Sequence, residues 1–134
     1  MASLPHLLLV DDDPDTLELT RAVFATEPLR VTATDGVGEA LAVLARERVD
    51  CVLSDVYMPG SDGFALLEAL KSDHPDVPVV LHTGFGNLDD AVRAMGRGAA
   101  GYLPKPAKPQ ELREAVRAAL DQLPEAQRAA LQGI

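Results

Sequence analysis

The chain has 134 residues, of which 47% are hydrophobic and 25% are charged. These proportions are typical of one soluble globular domain with its own core. The formal net charge of −9 argues against a nucleic-acid-binding surface, which requires clustered lysine and arginine. The single cysteine, Cys51, cannot form an internal disulfide, and neither a membrane-spanning apolar run nor a secretion signal is present. We therefore expect a cytoplasmic protein with no membrane partner.

The first half of the chain predicts three strands separated by two helices. Leu7–Val10 is a continuous apolar run, as expected for a strand buried on both faces. Asp13 is a suitable N-cap for a helix that begins at Pro14. Arg30–Thr34 is a less apolar strand, which we place near an edge of the sheet, and Cys51–Leu53 is the third strand. The second helix is marked by apolar residues at helical spacing, namely Val37, Ala40, Leu41 and Leu44.

The second half continues the same alternation. Val79–Leu81 is predicted to be a fourth buried strand and Gly101–Leu103 a short fifth strand. A fifth helix begins at Pro109, and Pro124 is expected to break it. The apolar positions of the last three helices are Phe64, Leu67 and Leu70, then Leu88, Val92 and Met95, then Leu112, Ala115, Val116, Ala119 and Leu123. We therefore expect one domain over residues 1–123, followed by a short tail or the start of a linker at 124–134.

Five βα units in strict alternation indicate a fold of the α/β class. Short connections and apolar strands imply a single parallel sheet, doubly wound, with helices on both faces and right-handed crossovers. In such a sheet the carboxyl ends of all the strands lie along one edge, where α/β proteins place their chemistry.

Several polar side chains follow the predicted strand ends. Asp11 and Asp12 come after the first strand, Asp55 after the third, Thr83 after the fourth and Lys105 after the fifth. Carboxylates packed together repel one another unless a cation neutralises them, and Mg²⁺ is the abundant cation that prefers oxygen ligands. The lysine and the hydroxyl can donate to phosphoryl oxygens. Together these groups indicate a site that carries an aspartyl phosphate.

The motifs at these strand ends resemble those of the receiver domain of response regulators in two-component signalling. The resemblance rests on Leu9–Asp13, Ser54–Gly63, Thr83–Gly84 and Gly98–Pro106, and it extends over about 7–123. Each motif alone is common, but the four motifs in this order at successive strand ends are specific. The resemblance implies a flavodoxin-like (βα)5 fold with five parallel strands in the order 2-1-3-4-5.

The resemblance also implies roles for the acidic residues. Asp55 would be the phosphoacceptor. Asp12 would bind Mg²⁺ directly and Asp11 through water, while Asp55 and the backbone carbonyl of Tyr57 would complete the protein ligands.

A second set of roles concerns the switch that follows phosphorylation. Lys105 would pair first with Asp55 and then with the phosphoryl group. Thr83 would move to donate a hydrogen bond to a phosphoryl oxygen, and Tyr102 would turn inward behind it. By the same resemblance, the Lys105–Pro106 peptide bond is expected to be cis.

These roles describe a switch that accepts a phosphoryl group from a sensor histidine kinase or a phosphotransfer protein. The switch would alter a contact with a downstream output domain or effector protein, and it could form a homodimer through the fourth and fifth helices. The resemblance implies slow hydrolysis of its own aspartyl phosphate rather than turnover as an independent enzyme. Tyr57 and Phe85 are aromatic where polar or small residues are frequent, and we expect them to prolong the lifetime of the phosphorylated state.

Two other classes of function are considered. A receiver-like module that binds partners without phosphorylation would not need the full set of Asp11, Asp12, Asp55, Thr83 and Lys105. A Mg²⁺-dependent phosphatase of the haloacid-dehalogenase type requires Asp-x-Asp-x-Thr or Val after its first strand, and the segment 11–15 ends in aspartate instead.

The remaining reactive side chains have plainer interpretations. We expect Cys51 to be a core residue, because it lies in a buried strand. His6 and His74 are predicted to lie at the surface or in loops. His82 precedes Thr83 and could influence it, but a partly buried histidine with satisfied hydrogen bonds is the simpler expectation.

Overall fold

The computed structural model of the protein describes residues 4–58, 61–84 and 88–123, with the backbone alone at 57, 58, 61–63 and 88. The strands are β1 His6–Val10, β2 Arg30–Thr34, β3 Cys51–Ser54, β4 Tyr57–Met58, β5 Ser61–Asp62, β6 Val79–Thr83 and β7 Gly101–Pro104. The helices are α1 Pro14–Phe24, α2 Val37–Arg46, α3 Gly63–Asp73, α4 Leu88–Gly96 and α5 Pro109–Leu120.

Five of the strands form one parallel sheet in the order β2-β1-β3-β6-β7. This is the predicted order 2-1-3-4-5, and Arg30–Thr34 lies at an edge as expected. The two-residue strands β4 and β5 form a separate antiparallel pair, which the sequence did not predict. Strands of two residues are too short to give a periodic pattern of apolar residues.

Successive residues of the central strands point to opposite faces of the sheet and enter two separate cores. Leu8 and Val10 of β1 pack with side chains of α2, α3 and α4, whereas Leu7 and Leu9 pack with side chains of α1 and α5. Both faces of the sheet are therefore covered, and the doubly wound α/β fold is confirmed.

Helix α1 begins beside the acidic segment that follows β1. The Asp13 carboxylate accepts hydrogen bonds from the Asp15 N–H at 3.1 Å and from the Thr16 hydroxyl at 2.7 Å. Pro14 occupies the first turn, so the predicted N-cap and first helical residue are both confirmed. The Asp13 carboxylate therefore caps the helix and is not part of the cluster formed by Asp11, Asp12 and Asp55.

The prediction for His6 was wrong, because this residue is buried at the start of β1. Its ring lies 2.8 Å from the Arg48 carbonyl oxygen through Nδ1 and 2.7 Å from the Thr32 hydroxyl through Nε2. These partners, which lie far along the chain, make a buried imidazole tolerable at a strand end. Cys51 is buried as predicted, and burial raises the pKa of its thiol to about 12.

Within the described residues, no helix is both long enough and apolar enough to cross a bilayer.

Candidate functional site

The carboxyl ends of β1 and β3 bring three aspartates together, as the sequence predicted. One carboxylate oxygen from each of Asp11, Asp12 and Asp55 lies within 4.8 Å of the other two. Asp11 and Asp55 are buried, with 6% and 7% of their surface exposed, whereas Asp12 is exposed. The cluster therefore has a buried floor and one carboxylate that faces solvent.

Backbone hydrogen bonds hold these aspartates in place. The Asp55 N–H donates to the Val10 carbonyl at 2.8 Å, and the Asp11 N–H donates to the Thr34 carbonyl at 3.1 Å. The parallel ladder thus continues one residue beyond each strand. Because their backbones are fixed by the sheet, Asp11 and Asp55 are held close to each other without contributions from a loop.

Lys105 reaches this cluster from the end of β7. Its Nζ donates to Asp11 Oδ2 at 2.7 Å and to Asp55 Oδ2 at 3.0 Å. Its backbone N–H donates to the Thr83 carbonyl at 2.9 Å, and its stem passes over Gly84, where a Cβ atom would lie 3.6 Å from Lys105 Cβ. The Lys105–Pro106 peptide bond is cis, as predicted.

The charges of the cluster are only partly balanced. Burial raises the pKa of Asp11, and the Lys105 hydrogen bond opposes that rise without cancelling it. Burial alone would lower the pKa of Lys105, but its hydrogen bonds to Asp11 and Asp55 raise it above the ordinary value. Lys105 is therefore an ammonium at neutral pH, and two buried carboxylates share one positive charge.

The donor set fits a hard divalent cation. Three carboxylates within 4.8 Å supply oxygen ligands with an excess of negative charge, and Mg²⁺ favours a few carboxylates together with water. The backbone of Tyr57 lies in β4, directly after this cluster, but its side chain is not described and its carbonyl remains a predicted ligand. Phe85, the second aromatic residue of the lifetime hypothesis, lies outside the described residues.

Thr83 and Tyr102 lie on the same face of the sheet. Thr83 pairs with Pro104 and Leu81 pairs with Tyr102 across β6 and β7, so both side chains point towards α3 and α4. Thr83 is buried, while Tyr102 is half-buried with its hydroxyl oxygen inaccessible to solvent. Among the described residues the Tyr102 hydroxyl has no hydrogen-bond partner, and burial raises its pKa.

The sequence did not reveal how deeply His82 is buried or that its Nε2 atom lacks a hydrogen-bond partner among the described residues. His82 lies on the opposite face of β6 from Thr83, it is 7% exposed, and its Nε2 has no hydrogen-bond partner within the described part of the chain. The expectation of a satisfied histidine was therefore wrong. The available signal was an imidazole that directly follows the apolar run Val79–Leu81 in the same strand.

The site can hold a cation at its acidic side and an anionic group at its lysine side. A doubly wound α/β domain with aspartates and a lysine at the carboxyl edge of its sheet is the kind of domain that carries a transferable phosphoryl group on an aspartate.

Comparison with known proteins places the chain among these domains. The family model described as "Response regulator receiver domain" matches residues 7–117. The chain is 44% identical over 119 residues to the response regulator protein FleR of Pseudomonas aeruginosa, covering 88% of this chain and 25% of FleR. It is 39% identical over 117 residues to the transcriptional regulatory protein GlrR of Escherichia coli K12, covering 87% of this chain and 26% of GlrR. The chain thus spans about a quarter of the length of these relatives.

A solved structure agrees with the sequence relatives. The CheY-like response regulator receiver domain protein from Methanospirillum hungatei superimposes with a TM-score of 0.84 at 32% identity, covering 90% of this chain and 96% of that one. The chain therefore belongs to the response regulator receiver domain family. Receiver domains of two-component response regulators accept a phosphoryl group on aspartate and are not independent enzymes. The findings support this function rather than a phosphorylation-independent module or a phosphatase.

Proposed function

We propose that Asp55 is the aspartate that accepts the phosphoryl group. The observation that carries this proposal is the position of Asp55 Oδ2, 3.0 Å from Lys105 Nζ and inside the carboxylate cluster. A carboxylate oxygen of Asp55 would attack the phosphorus of a phosphohistidine. The new O–P bond forms as the P–N bond breaks, and the released imidazole takes up a proton. Lys105 would then donate to the phosphoryl oxygens and offset their charge.

We propose Mg²⁺ as the cation of this site. Asp12, whose carboxylate is exposed, would bind it directly and Asp11 would bind it through water, while Asp55 and the Tyr57 carbonyl would complete the protein ligands. The bound ion would supply positive charge that offsets the incoming phosphoryl group. Within the chain, Asp11 and Asp55 supply fixed negative charge and Lys105 stabilises the transferred group.

Thr83 and Tyr102 form the proposed switch. The Thr83 hydroxyl would donate to a phosphoryl oxygen on Asp55, and the Tyr102 ring would move towards the space behind it. Their shared face of β6 and β7 supports this coupling, as does the buried Tyr102 hydroxyl. Such a shift alters α4, β7 and α5 together, a two-state change biased by one local charge.

The proposed partners follow from the same function. A sensor histidine kinase or phosphotransfer protein would supply the phosphoryl group in the cytoplasm, and an output domain or effector would read the altered surface. Val92 and Met95 on α4 are apolar and exposed by 64% and 50%, which suits a contact surface or a homodimer. We assign residues 1–123 to the receiver domain and 124–134 to a tail or the start of a linker.

The proposed self-hydrolysis is slow. Aromatic rings at Tyr57 and Phe85 would hinder water from reaching the acyl phosphate. Tyr57→Asn and Phe85→Glu should therefore shorten the lifetime of the phosphorylated protein. Rapid loss of phosphate that neither substitution changes would contradict this part of the proposal.

The test of the function is the intact mass of the protein after incubation with acetyl phosphate and Mg²⁺. We expect one phosphoryl adduct that is lost in Asp55→Ala and when EDTA removes the metal. Asp13→Asn is the matched control, since it removes an acid next to the site but keeps a capping side chain. An adduct that persists in Asp55→Ala would contradict the proposal. No adduct at all would favour a binding module, and steady release of phosphate from unrelated esters would favour a phosphatase.

A further inference from the structure

His82 lines two spaces beside the functional site. The first is a cavity of about 10 Å³ that it shares with Asp11, Asp55 and Thr20. The second is a largely apolar groove of about 320 Å³ between α1 and the start of α5, which His82 shares with Thr20, Lys105 and Pro106. His82 therefore borders spaces that are also lined by the carboxylate cluster and by the lysine.

The environment keeps this imidazole neutral. Burial and the positive charge of Lys105 lower the pKa of His82, the negative charge of Asp55 opposes them, and the resulting pKa is about 4. A neutral imidazole has one N–H donor and one ring nitrogen that accepts. The Nε2 atom of His82 has no partner among the described residues, and a buried polar atom without a partner is destabilising compared with an apolar side chain.

Lys105 offers the hydrogen-bond donor that this nitrogen lacks. Its ammonium has three N–H groups, two of which donate to Asp11 Oδ2 and Asp55 Oδ2. The other oxygen of Asp11, Oδ1, already accepts the Asp13 N–H at 3.0 Å. A cation that engages Asp11, directly or through a water molecule, thus competes with Lys105 for Oδ2. The competition leaves one lysine N–H without its acceptor in a pocket where the lysine side chain is only 19% exposed.

We propose that His82 is a positioning residue for Lys105, and that its Nε2 accepts a hydrogen bond from the ammonium when a cation engages Asp11. The inference rests on the proposed function, because it assumes a cation at the carboxylate cluster. Within the described part of the chain His82 Nε2 has no donor, and a cation at Asp11 would leave Lys105 with a donor that lacks its acceptor. Pairing the two lowers the free-energy cost of moving the lysine away from Asp11. His82 therefore favours cation binding without touching the cation.

Thr20 is the competing partner within the chain. It is buried, and it lines both the small cavity and the groove, so its hydroxyl could donate to His82 instead. A hydroxyl carries no charge, and its hydrogen bond to His82 would not depend on whether Asp11 holds Lys105 or a cation. Removing the Thr20 hydroxyl therefore separates the two explanations.

The experiment measures Mg²⁺ affinity and stability in the same set of variants. Mg²⁺ titrations followed by NMR amide shifts would compare the wild type with His82→Leu, His82→Gln and Thr20→Val, and urea unfolding in EDTA would follow the cation-free fold. A hydrogen bond to a charged group corresponds to a roughly tenfold change in affinity. We expect His82→Leu to weaken Mg²⁺ binding about tenfold while its urea midpoint stays equal or rises. His82→Gln retains an acceptor, so its affinity for Mg²⁺ should lie within about threefold of the wild-type affinity. Thr20→Val should bind Mg²⁺ with the wild-type affinity.

The outcomes separate this inference from the function on which it rests. Wild-type affinity in His82→Leu would overturn the inference and leave the proposed metal site intact. Equal weakening in the Leu and Gln variants with lowered urea midpoints would also overturn it, because that pattern indicates a structural role. Wild-type Mg²⁺ affinity in both His82→Leu and Thr20→Val, together with a lowered urea midpoint in Thr20→Val, would assign the partner to Thr20 and overturn the role of Lys105. If the wild type itself bound no Mg²⁺, the metal part of the proposed function would fail together with this inference.

Discussion

The ammonium of Lys105 donates to Asp11 at 2.7 Å, a shorter hydrogen bond than the one of 3.0 Å that it makes to Asp55. The lysine therefore links the ends of β1 and β3, because it is hydrogen-bonded to Asp11 as well as to the proposed phosphoacceptor Asp55. A cation at Asp11 and a phosphoryl group on Asp55 would each change one of these two bonds. The resting position of Lys105 is thus sensitive to both groups that the site is proposed to hold.

Replacing Lys105 with methionine should leave two buried carboxylates without their shared cation. We expect Lys105→Met to lower the free energy of unfolding at pH 7 by about 2–3 kcal/mol, because breaking a buried ion pair leaves the remaining charges without compensation. Saturating Mg²⁺ should restore part of this loss. Urea unfolding with and without Mg²⁺ measures both effects. Lys108→Met, at an exposed position, is the control and should change the value by less than about 0.5 kcal/mol.

The pH dependence of the Lys105 effect has a defined sign. The folded pKa of Lys105 is raised above its ordinary 10.5, so its contribution to stability is fully present below that value and is lost as the pH rises through the folded pKa. The difference between Lys105→Met and the wild type should therefore shrink in strongly alkaline solution. A difference that stays constant from pH 7 through the alkaline range would contradict the assignment of the stabilising charge to Lys105.

His82 should make the protein sensitive to acid. Its pKa falls from an ordinary 6.5 to about 4 because the folded environment disfavours the charged imidazole, so the free energy of unfolding decreases as the pH falls from 6.5 towards 4. The loss amounts to at most about 3 kcal/mol. We expect His82→Leu to remove this part of the acid destabilisation, as measured by urea unfolding at pH 7, 5.5 and 4. Parallel pH profiles for the wild type and His82→Leu would show that the neutral imidazole does not contribute in this way.

Gly98 is required by the turn that follows α4. Its φ of +93° is a conformation that side-chain-bearing residues rarely adopt, and an added Cβ would lie 2.9 Å from Lys71 Cε. Gly98→Ala should therefore lower the free energy of unfolding by about 1–2 kcal/mol. Gly96→Ala is the matched control, since nothing lies within 4 Å of a Cβ built there and alanine favours a helix. Equal effects of the two substitutions on the urea midpoint would contradict the role of backbone conformation at Gly98.

The sequence predicted those features that local pattern determines. Apolar runs that end in Asp11, Asp55 and Thr83 locate strand ends, and a parallel sheet places strand ends at one edge. The short pair β4–β5 was missed because two residues carry no periodicity. The burial of His6 was missed because its partners at Thr32 and Arg48 are distant in sequence.

The finer geometry of the site also could not be read from the chain. Lys105 and Asp11 are separated by 94 positions, and which carboxylate the ammonium prefers depends on side-chain conformations that strand patterns do not specify. The same holds for the Nε2 atom of His82, which has no hydrogen-bond partner among the residues that the structure describes. A pattern of residues shows that an imidazole is buried, but only packing shows whether a partner reaches it.

The most direct test of the account is chemical mapping of the phosphorylated residue. Borohydride reduces an aspartyl phosphate to homoserine with release of phosphate, and peptide sequencing by mass spectrometry then locates the modified position. After incubation with acetyl phosphate and Mg²⁺, we predict homoserine at position 55 and unmodified aspartate at Asp11, Asp12 and Asp13. Homoserine at any of those three positions, with Asp55 intact, would contradict the central claim that Asp55 receives the phosphoryl group.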